Sequence, residues 1–556
     1  MGNAYRSAML WFLITIGLGI APLAAHEVEG HAPTAGLGTV EFPTSAKSAQ
    51  AQAAFERAAL LLHLFEYEDA ALAFVEAQSL QPDFVMAVWG EAMTHNHPLW
   101  NQLDEEAGRK ALAKLGNTPA ERSAKAATER ERAYLEAVEI LYSGEGDKPS
   151  RDARYYEAMK ALAEAWPEDN EAQLFYALAL EGRSQGVRNV PDYLRAAEIS
   201  KRVFAKNPLN PGAAHYWIHG MDDPEHANGA IEAARALSKI APDAGHAQHM
   251  TSHIFIALGL WDDLVQANEE ATRVVYAHAR ATGKPVLRCG HYSEWLEYGY
   301  FQQGRYLEAG QMLLSCEKTG KAALAELKGK AGEARLAERY AGSLPTMRAT
   351  AIIESGDWDG AAVKLAMPEM QDVYAQAETL FVSGYAAAQR GDLDAAESAL
   401  ASLEKLIASS QPDPEFLALP GYLDIFRDNL TALIAFKRGK HEVALARVRA
   451  AVERLQGMAF DFGPPPSVKP PQELLGELLL ARDKPDEAAA AFSASLEMAP
   501  LRALSLLGLA RAQVAGGYAE AAAKTYSKLV AIWHSADPQL PGLLEARAFL
   551  SRHDAG

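Results

Sequence analysis

Six of the sixteen histidines in this 556-residue chain fall between residues 215 and 253, where an even spread would put about one. They are His215, His219, His226, His246, His249 and His253. Within this group, His215 and His219, and again His249 and His253, stand four residues apart, so on a helix each pair leaves the same face one turn apart. Corresponding members of the two pairs are separated by 34 residues. Neutral imidazole suits zinc, copper, nickel or iron, and histidines at i and i+4 are a recognised chelating arrangement. His215, His219, His249 and His253 are therefore candidate metal ligands. Asp222 and Asp223 follow His219 closely enough to add carboxylates at the helix end. For a single histidine two other roles are the commoner ones: contacts to a peptide in a groove, or core rings satisfied by their neighbours. His226 follows Pro224-Glu225 in a turn and stands outside the pattern.

Ala, Leu, Glu, Arg and Lys dominate from Ser45 onward, broken at short intervals by Gly, Pro, Asp or Asn clusters, which predicts antiparallel helix pairs. The pairs recur. Gly476, Ala488 and Phe492 are followed 34 residues later by Ala510, Ala522 and Tyr526. Ala58, Ala70, Phe74, Ala77 and Pro82 fit a unit starting at 51, and Gly476, Ala488, Phe492 and Pro500 one starting at 469. Turn signatures such as Gly259-Leu260-Trp261, Gly304-Arg305-Tyr306, Gly356-Asp357-Trp358, Gly391-Asp392-Leu393 and Gly439-Lys440-His441 give further starts near 245, 290, 342, 377 and 425, with others near 85, 211 and 503.

This register resembles the tetratricopeptide repeat (TPR), whose consensus puts small residues at the helix crossing and an aromatic between hairpins. The resemblance covers most of the chain, although residues 100–210 fit poorly and carry insertions. It implies an all-α solenoid of TPR-like helical hairpins, each burying its apolar face only by stacking on its neighbours to form a superhelix with a concave groove. The chain is also similar to a set of exported bacterial TPR proteins with a His-rich stretch, a likeness that carries no established chemistry with it.

The register extends the set of candidates. His246 and His291 both occupy position 2 of their units, His63 and His97 position 13, and Trp89 and Met93 positions 5 and 9. Glu294 and Tyr298 take positions 5 and 9 in the unit after the histidine pairs. Positions 2, 5, 9 and 13 share one helical stripe, and the family resemblance implies that this stripe lines the ligand groove. His63, Trp89, Met93, His97, His246, His291, Glu294 and Tyr298 are thus groove candidates, with core packing the competing role for Trp89 and Met93. Tyr67, Trp261, Tyr306 and Trp358 sit at repeat turns and read as packing residues.

The N-terminus has Arg6, an apolar run from Ala8 to Ala21 and a small-residue stretch ending at Ala25, the order of a secretory signal peptide over residues 1–25. That predicts export to the periplasm or beyond the cell, with no membrane span in the mature chain. After it come an extended leader (26–47), N-terminal hairpins with insertions (48–210), the His-rich repeats (211–310), further repeats (311–460), a stiff Pro-rich linker (461–471) that is also suited to recognising a partner, and C-terminal repeats (472–556). The two cysteines, Cys289 and Cys316, can form one disulfide in an oxidising compartment or remain buried thiols. A net charge of −19 argues against nucleic acid as a partner.

Three function classes follow. No phosphate loop, nucleophile elbow or HExxH motif is present, and His215-Tyr216-Trp217-Ile218-His219 lacks the glutamate of the last. The leading expectation is an exported binding protein whose groove takes a peptide, a protein partner or a small ligand, with a His-held transition metal (Zn, Cu, Fe or Ni) within it. A metal-dependent hydrolase or oxidase, with Asp222, Asp223 or Glu294 as base, is the second class. A plain assembly scaffold is the third.

Overall fold

A computed structural model describes residues 36–411 and 417–554. The expected signal peptide over residues 1–25, and His26 after it, lie outside them. The fold is an all-α solenoid of TPR-like hairpins. In the first hairpin Ala49–His63 pairs with Tyr67–Leu80, and in the histidine-rich region Pro211–Gly220 pairs with Ile231–Ile240, Gly245–Leu258 with Trp261–Ala281, and His291–Gln302 with Tyr306–Leu327. Three later hairpins, Leu419–Lys437 with His441–Gln456, Pro471–Leu480 with Pro485–Met498, and Ala503–Ala515 with Ala519–Ile532, continue the same pattern. Among the described residues no helix is long and apolar enough to cross a membrane.

Local chemistry explains where the histidine-bearing helices begin and end. Asn210 caps the Pro211–Gly220 helix, its side chain accepting from the Ala213 N–H at 3.1 Å, and Pro211 at the first position lacks only an N–H that would have no helical partner. The Gly245–Leu258 helix stops at Gly259, whose φ of +67° is open to glycine without steric cost. Gly304, Gly356, Gly391, Gly439 and Gly517 take the same left-handed conformation at later hairpin turns. At the corresponding turn of the first hairpin the residue is Phe65, with φ +55°. A bulky residue there costs on the order of 1–3 kcal/mol.

Residues 100–210 depart from the regular period. A small antiparallel β-hairpin, Asn96–His97 with Gln102–Leu103 around a 3-10 turn at Pro98–Trp100, is inserted after the Val85–Met93 helix. The described part of the leader is extended, and it buries Phe42 against Phe55, Trp89 and Tyr134.

The superhelix curls back on itself. Arg502 reaches Tyr298 Oη at 3.0 Å, the Trp261 indole N–H donates to the Leu501 carbonyl at 3.0 Å, and the Ala503 N–H donates to Gln302 at 2.9 Å. The non-helical segment at 457–470 folds over the histidine layer instead of bridging free space, and Phe462 packs on His253 with ring centroids 5.0 Å apart. The first hairpin closes the other side, where the His63 carbonyl accepts from His215. As a result, the first helices of the His-rich repeats are almost wholly enclosed.

Candidate metal centre

The structure gathers six histidines into two groups of three. His215, His219 and His246 form one triad and His249, His253 and His291 the other, and within each the potential ligand nitrogens lie within 4.8 Å of one another. The triads adjoin: ring centroids of His219 and His253 are 5.9 Å apart, and those of His246 and His249 6.2 Å. His215 and His249 are fully buried and His219, His253 and His246 nearly so, whereas His291 faces solvent.

Hydrogen bonds behind His215, His249 and His253 fix which nitrogen each of them presents. In the second triad, Asn268 is buried on the helix following the histidines, and its amide NH₂ donates to the Leu264 carbonyl at 3.0 Å, so its oxygen must face His249. The His249 Nδ1–H therefore donates to Asn268 Oδ1 at 2.7 Å. His253 Nδ1–H donates to the Asp222 carboxylate at 2.6 Å. Both Nε2 atoms are left as bare lone pairs, facing each other at 3.1 Å. Two acceptors at that separation repel unless a cation or proton stands between them. Two nitrogens sharing a metal at bond lengths of about 2.0–2.1 Å stand roughly 2.9–3.4 Å apart, which brackets the observed distance.

The first triad repeats the plan with a backbone partner. His215 Nδ1–H donates to the His63 carbonyl at 2.7 Å, directing its Nε2 at the Nε2 of His219, 3.1 Å away. His246 turns an Nε2 with no hydrogen-bond partner into the buried interior. Its helix is anchored by Glu66, which accepts from the His246 backbone N–H at 3.0 Å and whose carboxyl is pushed up to about 7 by burial. Partners of this kind behind metal-bound imidazoles fix ring orientation and raise ligand basicity.

Burial holds His215, His219, His246 and His249 neutral, the state a metal requires. It brings His215 down to about 3, and it lowers His219, His246 and His249 well below the ordinary imidazole range, with neighbouring rings adding to the effect. Aromatic side chains cover the buried rings of both triads. Phe65 packs on His215 at 4.4 Å and on His219 and His246 at 5.8 and 5.7 Å, which gives its costly left-handed backbone a use. Trp295 covers His249 at 4.8 Å and His253 at 4.5 Å.

The other candidates take different places. Asp222 orients His253 from behind. Asp223 is held by Arg188 at 2.7 Å and by His226 at 2.8 Å, and it contacts neither triad. The His63 ring is not in the groove: it is bonded to Tyr216 at 2.9 Å and Glu171 at 2.5 Å in the core, and only its backbone carbonyl serves the site. Its ring lies so close to Gly212 that a Cβ there would come within 2.5 Å of it. His97 stacks on Tyr67 at 4.0 Å, a tier away from the triads, with Trp100 between it and His246. Trp89 packs in the core against Phe42, Tyr134 and Phe175, and Met93 accepts from Tyr155 Oη; neither reaches the imidazoles. Glu294 bonds Ser343 on the next hairpin. Tyr298 borders a cavity beyond Asp222.

Asn268 and Trp295 carried no readable signal in the chain, since their types are ordinary for helix or core. Only Phe65, standing where other hairpins have glycine, offered a clue.

Cys289 and Cys316 form a disulfide that ties the chain just before His291 to the Tyr306–Leu327 helix. Replacing both cysteines with serine should weaken metal binding at the His249 triad, on the order of tenfold, and leave the other triad unchanged. Titration of metal into the serine variant measures this, and an equal change at both triads, or none, would refute the positioning role.

No family model and no curated protein matches the chain. Solved structures of similar fold include the APC/C hetero-tetramer Cut9-Hcn1, at 11% identity over 93% of this chain and 78% of that one, with a TM-score of 0.32. Human IFIT1 as a dimer with m7Gppp-AAAA is 13% identical over 89% of this chain and 92% of that one, with a TM-score of 0.33. The TPR domain of P58(IPK) is 16% identical over 69% and 99%, with a TM-score of 0.21. These likenesses concern the fold alone.

Proposed function

We propose that this protein is an exported TPR-type binding protein that holds two transition-metal ions side by side, one in each histidine triad. The observation that carries the reading is the pair of lone pairs of His249 and His253, locked face to face at 3.1 Å by Asn268 and Asp222. A buried polar arrangement of this sort is costly unless something positive bridges it. Three imidazoles per ion select metals that accept nitrogen donors, namely copper, zinc, nickel or iron, over calcium or magnesium. Three protein ligands also leave a coordination position free on each ion, the condition for binding or transforming a further ligand. Peptide or partner binding along the rest of the solenoid is compatible with this centre, and the disulfide accords with an oxidising compartment outside the cytosol.

Elemental analysis of protein purified without added chelator, and of chelated protein re-titrated with each metal, tests the reading. The expected result is two equivalents of one transition metal per chain. A clean protein that takes up no more metal than exposed surface histidines account for would refute it, and one equivalent would refute the paired arrangement.

A further inference from the structure

Beyond the histidine layer lies a cavity of 290 Å³, close to the lower end of the roughly 300–1,000 Å³ typical of small-molecule sites. It is roofed by the segment folded over at 457–470, whose Met458, Phe460 and Asp461 line it together with Asp222, Trp261 and Tyr298 from the repeats below. Most of the lining is apolar or aromatic, but its charge is one-sided. Asp222 is 1% exposed, and although its Oδ2 is engaged by His253, its Oδ1 has no hydrogen-bond partner. Asp461 meets the Tyr422 hydroxyl at 3.3 Å, and no lysine or arginine pairs with either carboxylate among the described residues. The nearby cations are already committed: Arg502 to Glu354 and Glu473, Lys469 to Glu473 and Glu477.

A buried carboxylate oxygen without a donor is costly, and the aromatic faces around it favour positive charge. We propose that the cavity binds a small organic ammonium ion, its nitrogen held by Asp222 and Asp461 and its apolar body packed against Trp261, Tyr298 and Phe460. The pocket stands on its own geometry, while its link to the metals through Asp222 and His253 rests on the two-ion reading above. Through that link, an ammonium bound at Asp222 draws charge away from the carboxylate behind His253 and alters the ligand field of the second ion.

Calorimetry on the full chain, both metal-free and copper-loaded, with benzylammonium, benzyl alcohol and phenylacetate as probes separates the two ideas. Benzylammonium should bind at least about tenfold more tightly than the alcohol, with phenylacetate weakest. Asp461→Asn should remove that preference while retaining the alcohol's affinity, which also serves as the check on folding. Met498→Trp, which fills the cavity, should abolish binding of all three probes. Equal affinity for cation, alcohol and anion, no binding at millimolar concentrations, or an unchanged preference in Asp461→Asn would overturn the proposal. Benzylammonium binding by a chain that takes up no metal would leave the cavity standing and remove the metal centre. In the copper-loaded protein, benzylammonium should shift the visible copper band; an unmoved band despite binding removes the coupling.

Discussion

Replacing His249 or His253 with alanine should release one metal ion and leave the other bound, and replacing His215 or His219 should do the reverse. Each triad has its own partners, Asn268 and Asp222 for one and the His63 carbonyl for the other, so loss of one ring disables its own group first. The loss in affinity should exceed the roughly 10–100-fold that removing an outer partner costs, because a bonded ligand is deleted. Asn268→Ala should fall within that smaller range. His226→Ala, whose ring serves Asp223, should keep both ions. Metal content and thermal unfolding read this directly, since an ion present at 100 times its Kd adds about 2.7 kcal/mol to the folded state. Loss of both ions from every single variant would point instead to one shared site.

In the His249→Ala protein, which keeps only the first ion, metal affinity should stay nearly flat from pH 8 to about 5.5. Protons compete with metal only when the folded rings can take them up. Burial has brought His215 down to about 3 and has lowered His219 and His246 too, so competition begins far below the usual imidazole range. An exposed site of three rings titrating near 6.5 would lose about fivefold per ring between pH 6.5 and 5.5, on the order of a hundredfold in all. A drop of that size between pH 6.5 and 5.5 would show that the rings titrate freely and are not enclosed.

The same depression has a consequence for stability. Native rings that refuse protons bind fewer than the unfolded chain, so their contribution is full above about pH 6.5 and is lost as pH falls below it, by up to ~1.4 kcal/mol per pH unit for each ring. Buried carboxyls shift the balance the other way. Glu378, raised by burial to about 8, binds more protons in the native state, and its contribution is lost as pH rises towards that value. Metal affinity is therefore the cleaner reporter of the histidines.

Much of the fold was legible because a helical hairpin is a local object. Its turn glycines, small crossing residues and inter-hairpin aromatics recur at an interval that can be counted, and the helix starts near 85, 211, 245, 290, 469 and 503 agree with those observed to within a few residues, whereas the start near 342 falls inside the Glu333–Ser355 helix. The stripe rule was less discriminating within the site. It put His63, His97, Trp89, Met93, Glu294 and Tyr298 on the same stripe as His246 and His291, because periodicity gives the face a residue occupies but not what that face meets. The inserted β-hairpin moved His97 to a separate tier, and Glu171 and Tyr216, distant in the chain, drew the His63 ring into the core.

By itself, then, the order of residues determined a stacked-hairpin body and the shared phase of four imidazoles, since both follow from helical geometry over short distances. Only the tertiary structure decided that His246 and His291 complete two triads, that Asn268, Asp222 and a backbone carbonyl turn the lone pairs inward, and that the segment at 457–470 roofs a cavity beside them. Those features depend on the superhelix curling until remote repeats touch. The small rotation between successive hairpins accumulates along the whole solenoid, and no single repeat encodes the sum.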